Sequence, residues 1–184
     1  MLDAIVNFNV SSLPDFGSDL RFSKLSSTIG NSDVSILSND TEIKMIKRIV
    51  PTAGVSFNTS WTFENQLYSE AVRYVLPIGH EPIVSSSGFV YDGYNAFIQD
   101  DGVGNLFIYT VSTDGLITKL NNSVGTVDYT SGTITISNLI VDSYDGDYIK
   151  IFAKPENADI ETVTNKILLI DQEDISISTT GIRA

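Results

Sequence analysis

The chain has 184 residues, no cysteine, one histidine, and 11 basic against 23 acidic side chains, for a formal net charge of −12. The lack of cysteine excludes disulfide frameworks, thiolate metal sites and thiol nucleophiles. The single His80 excludes a site with several histidine ligands. Apolar residues make up 42% of the sequence, which indicates a folded chain. We therefore expect no catalytic residues, no metal site, no cofactor and no enzymatic activity.

The distribution of charge and hydropathy argues against two classes of partner. The last 92 residues carry 5 basic and 13 acidic side chains, so this half would repel a phosphate backbone. No segment approaches the roughly 20 consecutive apolar residues of a membrane-spanning helix. The N-terminal residues lack the basic region of a signal peptide. We expect neither nucleic-acid binding nor membrane insertion, and we interpret the basic cluster Lys44, Lys47 and Arg48 as the solvated side of one element.

The N-terminal region predicts one strand and one helix. Alternation of apolar residues and asparagine over 6–10 favours a short strand. Apolar residues spaced by three and four predict a helix over about 22–29, capped by Ser18 or Asp19 and ended by Gly30-Asn31. A helix of about three turns is stable only when it packs against another element.

From about residue 34 the sequence is that of a β protein. The segment 41–50, TEIKMIKRIV, alternates like a strand with one wetter face. In VSFNTSWTF, at 55–63, Val, Phe, Thr, Trp and Phe share one face, and Ser, Asn, Ser and Thr share the other. A short turn-rich link joins the two runs, so we expect them to form an antiparallel pair. Trp61 is then a core residue, or an interface residue if its strand is an exposed edge.

Turn dipeptides punctuate the remaining sequence, with Asp-Gly at four places and Ser-Gly at one. They separate short β-branched and aromatic runs about ten residues apart, a spacing typical of a sandwich or small barrel. These runs are 94–99, 105–112, 116–120, 125–129, 133–137 and 147–153, with further strands expected at 71–78, 166–170 and 175–179. We predict a mainly β fold with antiparallel, sandwich-like sheets built from successive hairpins and one short N-terminal helix.

The serine-rich segment 85–88 is the best candidate for a junction between domains. We predict a subdomain of a helix plus an antiparallel β-hairpin at 1–84. A second, all-β and hairpin-rich subdomain follows at 89–184. The sequence also leaves open one continuous domain.

Several polar clusters resemble functional sites but fit turns better. The pair Asp100-Asp101 could be the two carboxyls of a glycosidase, yet it sits in the turn sequence DDGVGN. The D-x-x-D-G-D spacing at 142–147 lacks the later glutamate of an EF-hand calcium loop. Gly102-Val103-Gly104 has no following helix, so we expect positive φ angles in a hairpin. We interpret His80 as a solvated loop residue.

Tyr91, Tyr94 and Phe97 form an aromatic cluster around the turn Asp92-Gly93. Exposed tyrosines on a loop stack on sugars or anchor protein interfaces. Packing in the core or along the hairpin is the more common role of such residues. We take these three as the candidate interface or ligand contacts of the chain.

Two stretches resemble a known family. Residues 22–51, FSKLSSTIGNSDVSILSNDTEIKMIKRIVP, combine a short helix, the motif D-x-S-I-L-S-N-x-T and a basic strand ending in proline. Residues 125–139, GTVDYTSGTITISNL, follow GNLFIYTV at 104–111. Together they resemble the C-terminal portion of the large baseplate wedge protein of T4-like contractile-tailed phages, the baseplate J-like ring-forming subunit.

The resemblance implies a non-enzymatic structural protein of the virion, located in the phage tail baseplate and assembled in the host cytoplasm. It implies association with itself, as a dimer or higher, and with other baseplate proteins in a ring around the tail hub. Members of that family are several times longer, so the resemblance implies that the chain is an excerpt of one or a truncated relative. The alternative function is a carbohydrate- or receptor-binding adhesin module of a phage tail or bacterial surface, with a glycan as its partner.

Overall fold

A computed structural model describes residues 1–69, 81–162 and 166–180 of the protein. Within these ranges the chain forms two α-helices and nine β-strands, and every strand pairing is antiparallel. The predicted mainly β class is therefore confirmed. Neither helix reaches the length and apolar character needed to cross a bilayer.

The contacts divide the chain into two compact units, and the first contains both ends of the chain. Unit 1 comprises Met1–Glu42 and Ala158–Ala184, and unit 2 comprises Ile43–Asn157. This division differs from the predicted subdomains, since the C-terminal residues belong with the N-terminal helices. The serine-rich segment 85–88, which was predicted to join two domains, overlaps the strand Val84–Ser86 and is therefore not an irregular linker.

The first helix of unit 1, α1, spans Leu2–Ser12, so the strand predicted over 6–10 is wrong. Its buried residues are Ile5, Phe8 and Asn9, which follow the helical spacing of three and four. The side chain of Asn9 accepts the backbone N–H of Ile170 at 2.9 Å, which explains why an asparagine is buried there. The sequence over 6–10 is thus compatible with the two-residue period of a strand and with the 3.6-residue period of a helix. The buried residues follow the helical period.

The second helix, α2, spans Phe22–Gly30 and confirms the predicted helix, but its cap differs from the expected one. Neither Ser18 nor Asp19 caps it. The first helical N–H, from Phe22, donates instead to Oδ1 of Asp159 at 2.7 Å. This hydrogen bond holds the pKa of Asp159 below its usual value, with the Arg21 guanidinium as a further cause.

The strands predicted at 166–170 and 175–179 are absent from the described residues 166–180. That segment contains only a short 3-10 helix, Gln172–Asp174. Its alternating pattern is not used for burial, because Ile167 and Leu169 are exposed.

Unit 2 is built around one antiparallel sheet. Its strands are β1 Met45–Ile49, β2 Phe57–Thr62, β3 Val84–Ser86, β4 Phe89–Tyr91, β5 Tyr94–Asp100, β6 Asn105–Val111, β7 Ile117–Asp128, β8 Thr133–Leu139 and β9 Ile149–Ala153. Their order is β1-β9-β3-β5-β6-β7-β8-β2, with β4 paired to β5. The core of the unit contains fully buried aliphatic residues such as Ile98, Leu106, Ile108, Ile134 and Ile149.

The expected pair of β1 with β2 is wrong, since the two strands lie at opposite ends of the sheet. β1 pairs with β9, and β2 pairs with β8. The link between them bonds to the segment after β8 instead of closing a tight turn: Gly54 donates its N–H to the carbonyl of Val141 at 2.9 Å, and Tyr144 donates its hydroxyl to the carbonyl of Pro51 at 3.0 Å.

Most other predicted strands are confirmed. The runs at 94–99, 105–112, 133–137 and 147–153 correspond to β5, β6, β8 and β9. The runs at 116–120 and 125–129 merge into the single long strand β7. The prediction missed the three-residue strands β3 and β4, and the strand predicted at 71–78 lies outside the described residues.

Two turn glycines allow a matched test of backbone packing. Gly132, between β7 and β8, and Gly115, between β6 and β7, both have positive φ, at 68° and 77°. A Cβ at Gly132 would overlap the carbonyl oxygen of Asn65, whereas a Cβ at Gly115 would meet no atom within 4 Å.

Changing either glycine to alanine introduces left-handed backbone strain of roughly 1–2 kcal/mol. We expect Gly132→Ala to lower the free energy of unfolding by at least about 2 kcal/mol more than Gly115→Ala, measured by urea denaturation. Equal losses would contradict this packing.

Candidate functional site

Asp100 ends β5, and its side chain is fully buried within a set of hydrogen bonds. Oδ1 accepts the backbone N–H groups of Ile83 and Val84, each at 2.9 Å. Oδ2 accepts the N–H of Gly102 at 3.2 Å and the hydroxyl of Tyr129 at 2.8 Å. Four protein donors thus occupy this carboxyl group, which ties together three parts of the chain.

Asp101 shapes the turn that follows β5. Its Oδ1 accepts the backbone N–H groups of Val103 and Asn105 at 3.0 and 2.9 Å, and its Oδ2 accepts the Asn105 amide at 2.7 Å. Burial raises the pKa of Asp101, but these hydrogen bonds outweigh burial and hold the pKa below its usual value. Gly102 and Gly104 have positive φ, as predicted. The adjacent acids therefore build a turn, as their sequence context indicated.

Tyr129 follows β7 and donates its hydroxyl to Asp100. Burial raises the pKa of the Tyr129 phenol far above its usual value, and the neighbouring charge of Asp100 and their hydrogen bond raise it further. The phenol thus stays protonated as a donor. Tyr129 therefore acts as a hydrogen-bond donor to the buried carboxyl group of Asp100.

In the acidic segment at 142–147, the first carboxyl group forms a hydrogen bond with the neighbouring turn at 92–93. Oδ2 of Asp142 accepts the N–H of Gly93 at 2.9 Å, while Asp145 and Asp147 are exposed. Across residues 1–69, 81–162 and 166–180, no three acidic or histidine side chains come together as metal ligands. The turn interpretation therefore fits this segment, and His80 lies outside the described residues.

The structure brings together two of the three candidate aromatic residues. Tyr91 and Tyr94 are paired across the β4–β5 turn, where Tyr94 is 54% exposed and the Tyr91 hydroxyl accepts the Asn121 amide at 3.2 Å. Phe97 lies on the opposite face of β5, with its ring centroid 5.6 Å from that of Tyr109. A role of Tyr91, Tyr94 and Phe97 as interface or ligand contacts stays a prediction.

The basic cluster is exposed on and beside β1, the strand at one end of the sheet. Lys44, Lys47 and Arg48 are all exposed, but Lys47 lies on the face of β1 opposite to Lys44 and Arg48, so the three do not form one side of the element. The Arg48 guanidinium carbon lies 4.5 Å from the ring centroid of Tyr148, a cation–π contact. This edge of the sheet is thus strongly charged.

Trp61 lies on the edge strand β2 at the other end of the sheet and is half-buried, so it is not the fully buried core residue expected. Its indole Nε1 is buried and has no hydrogen-bond partner among the described residues. Its ring packs edge-on against Phe63, with the centroids 6.4 Å apart. Because β2 is an edge strand, an interface role of Trp61 stays a prediction.

Unit 1 exposes a large share of its apolar side chains. Among its described residues, seven hydrophobic side chains are buried and eight large ones are exposed, whereas unit 2 buries twenty and exposes seven. We call the eight exposed residues the unit 1 apolar surface. They are Leu2, Val10, Phe16, Val34, Leu37, Ile167, Leu169 and Ile177. Unit 1 therefore exposes a larger share of its large apolar side chains than unit 2 does.

Part of this surface has a regular form. Leu2 and Val10 of this surface, with the half-buried Val6 between them, are spaced by four along α1, so they line one side of the helix, apart from the buried Ile5 and Phe8. Such a stripe suits packing against an element of another chain.

The tyrosine beside Asp100 offers a test with a pH-dependent signature. Tyr129→Phe removes one donor to a buried carboxyl group, so we expect a loss of about 1–3 kcal/mol in the free energy of unfolding at pH 7. The unfolded phenol ionises near pH 10, but the folded phenol does not. The contribution of Tyr129 is therefore complete below about pH 10 and decreases as the pH rises above it.

Urea denaturation at several pH values checks this prediction, and the difference between wild type and Tyr129→Phe should shrink at alkaline pH. The exposed Tyr94→Phe is the matched control and should unfold like the wild type at pH 7. A Tyr129→Phe variant as stable as the wild type would contradict the assigned role.

Comparison with known proteins gives one family match. Residues 1–48 match the family of the baseplate structural protein gp6, C-terminal domain III. The matched segment covers about a quarter of the chain, contains α1 and α2, and ends within β1. No curated protein sequence matches the chain significantly. The match overlaps the resemblance noted at 22–51 and supports a structural role in a phage baseplate, which implies interaction with other baseplate proteins.

Proposed function

We propose that the chain is a non-enzymatic part of a baseplate wedge protein, a J-like ring subunit of a contractile phage tail. It associates with itself and packs with other wedge proteins to form the ring around the tail hub. The observation that carries the proposal is a coincidence of position: the family match at 1–48 falls almost wholly in unit 1, and unit 1 carries the exposed apolar surface. The protein then acts in the virion baseplate, after assembly in the host cytoplasm.

The physical basis of association is burial of the unit 1 apolar surface. Each large side chain removed from water contributes roughly 1.5–3 kcal/mol at full burial, before the costs of association. Val10, Phe16, Val34 and Leu37 are each more than 60% exposed, so most of that contribution is still available in the isolated chain.

Electrostatics shapes the same association. Two chains of charge −12 repel each other, and unit 1 itself carries 11 acidic and 4 basic residues, so its apolar contact has to overcome charge repulsion. Exposed charges are screened within about 10 Å at 0.1 M salt. Self-association should therefore strengthen as salt concentration rises, which distinguishes an apolar contact from one made by ion pairs.

Charging α1 tests the surface. Val10→Asp adds an acidic group to the apolar stripe, so it should shift the chain to smaller species in size exclusion with light scattering. Leu116→Asp is the matched control, since Leu116 is 67% exposed and Val10 is 68% exposed, but Leu116 lies in unit 2. The control should associate like the wild type.

The measurement is made at several protein concentrations, and circular dichroism verifies that each variant is folded. A wild-type chain that stays monomeric at every concentration contradicts self-association. Equal effects of Val10→Asp and Leu116→Asp would remove unit 1 as the contact surface.

A further inference from the structure

The two ends of the sheet of unit 2 are protected differently. β1 is flanked and lined by Lys44, Lys47 and Arg48, and Pro51 follows it. Charges and proline are the usual means by which a protein prevents its sheet edge from pairing with another chain. β2 lies in VSFNTSWTF, at 55–63, which contains neither a charged residue nor a proline. The β2 edge therefore lacks the protection that β1 has.

The outer side of β2 is also regular. Its register against β8 shifts between Phe57, which faces Leu139, and Thr59, which faces Ile136. Over this step β2 advances by two residues and β8 by three, so the extra residue lies in β8, where Asn138 has a positive φ of 53°. The bulge thus leaves β2 unbroken, and among the described residues no strand pairs with its outer side.

The backbone of β2 presents every second residue outward. Phe63, just after β2, donates its N–H to the carbonyl of Gly132 at 3.0 Å. In an antiparallel pair such hydrogen bonds recur at alternate residues, so the backbone N–H and C=O groups of Thr59 and Trp61 also point toward β8. The N–H and C=O groups of Asn58, Ser60 and Thr62 then point away from β8, and no strand in the described part of the chain pairs with them.

The sequence around Thr59 is self-complementary. Counting outward from Thr59, each residue faces one of like chemistry: Asn58 and Ser60, Phe57 and Trp61, Ser56 and Thr62, Val55 and Phe63. We infer that β2 pairs antiparallel with β2 of a second copy, in the register that places the two Thr59 residues opposite each other. Two-fold contacts require such a self-complementary surface.

This register satisfies both the backbone and the side chains. Asn58 faces Ser60 of the partner subunit, and both residues carry outward N–H and C=O groups, so they form a hydrogen-bonded pair. Phe57 faces Trp61 of the partner subunit in a non-hydrogen-bonded pair, where side chains lie closest. Aromatic pairs opposite each other across two strands are stabilising.

The partner is a second copy because the strand matches itself and carries no charge. Two chains of charge −12 pair here without placing like charges opposite each other. The inferred pairing of β2 specifies one contact of the proposed self-association, and it rests on that proposed function. It adds an isologous surface separate from the unit 1 apolar surface, and a ring subunit needs two contact surfaces when one of them is isologous.

A single cysteine reports this contact, because the chain has none of its own. The Cα atoms of a non-hydrogen-bonded pair lie about 4.5 Å apart, within the range that a disulfide spans. We expect Thr59→Cys to give a disulfide-linked dimer on mild oxidation, seen by non-reducing electrophoresis. Thr126→Cys, exposed on the interior strand β7, is the matched control and should stay monomeric on the gel.

Ser60→Cys tests the register. In the inferred register its two copies lie diagonally, about 7–8 Å apart, so they should cross-link much less than those of Thr59→Cys. More efficient cross-linking by Ser60→Cys would overturn the register. No cross-linking by either variant, at concentrations where the wild type self-associates, would overturn pairing through β2.

A charge swap gives a second readout in the full chain. Thr59→Lys places two lysines opposite each other, so it should weaken this self-association at least about tenfold in sedimentation experiments. Mixing it with Thr59→Asp should restore a heterodimer, provided that circular dichroism shows both variants folded. Failure of the mixture to associate overturns the inference. If Val10→Asp still reduces assembly in that case, the proposed function stands without the β2 contact, whereas a monomeric wild type contradicts both.

Discussion

The buried carboxyl group of Asp100 holds the sheet together at its weakest joint. β3 has only three residues, yet among the described strands it alone connects the pair β1-β9 to the larger group from β5 to β2. It is paired with β5 through a single register position. Asp100 accepts the N–H groups of Ile83 and Val84 where β3 begins, and these donors would otherwise be buried without partners. The joint therefore determines whether the strands of unit 2 form one continuous sheet, with β1 and β2 as its two ends.

Sequence patterns predicted the parts of the fold that local interactions decide. β5, β6, β8 and β9 are β-branched or aromatic runs between turn dipeptides, and both features act over a few residues. The failures involve partners distant in sequence. β1 and β2 looked like a hairpin, yet each pairs with a strand more than seventy positions away. The cap of α2 comes from Asp159, 137 positions away, and no local signal identifies it.

The candidate surfaces were only partly visible in the sequence. The uncharged, self-complementary pattern around Thr59 can be read directly, but an interior strand could carry the same pattern. Its significance depends on the place of β2 at the end of the sheet, which follows from long-range pairing. Leu2 and Val10 likewise are of residue types that are usually found in a core. They are exposed because α1 buries a different side, containing Ile5 and Phe8, so burial had to be seen before a surface could be assigned.

The charge of the chain gives these surfaces their selectivity. A net charge of −12 opposes non-specific contact between copies and keeps exposed apolar residues from causing indiscriminate aggregation. Unit 1, with 11 acidic and 4 basic residues, has to overcome this repulsion by burying apolar side chains, whereas the proposed contact along β2 avoids it because residues 55–63 carry no charge. The two differ in what they recognise: the first buries apolar side chains, whereas the second extends a hydrogen-bonded ladder and therefore requires one register. In the proposed assembly, the contact through β2 has a defined geometry because it requires one register, whereas the apolar contact of unit 1 allows adjustment.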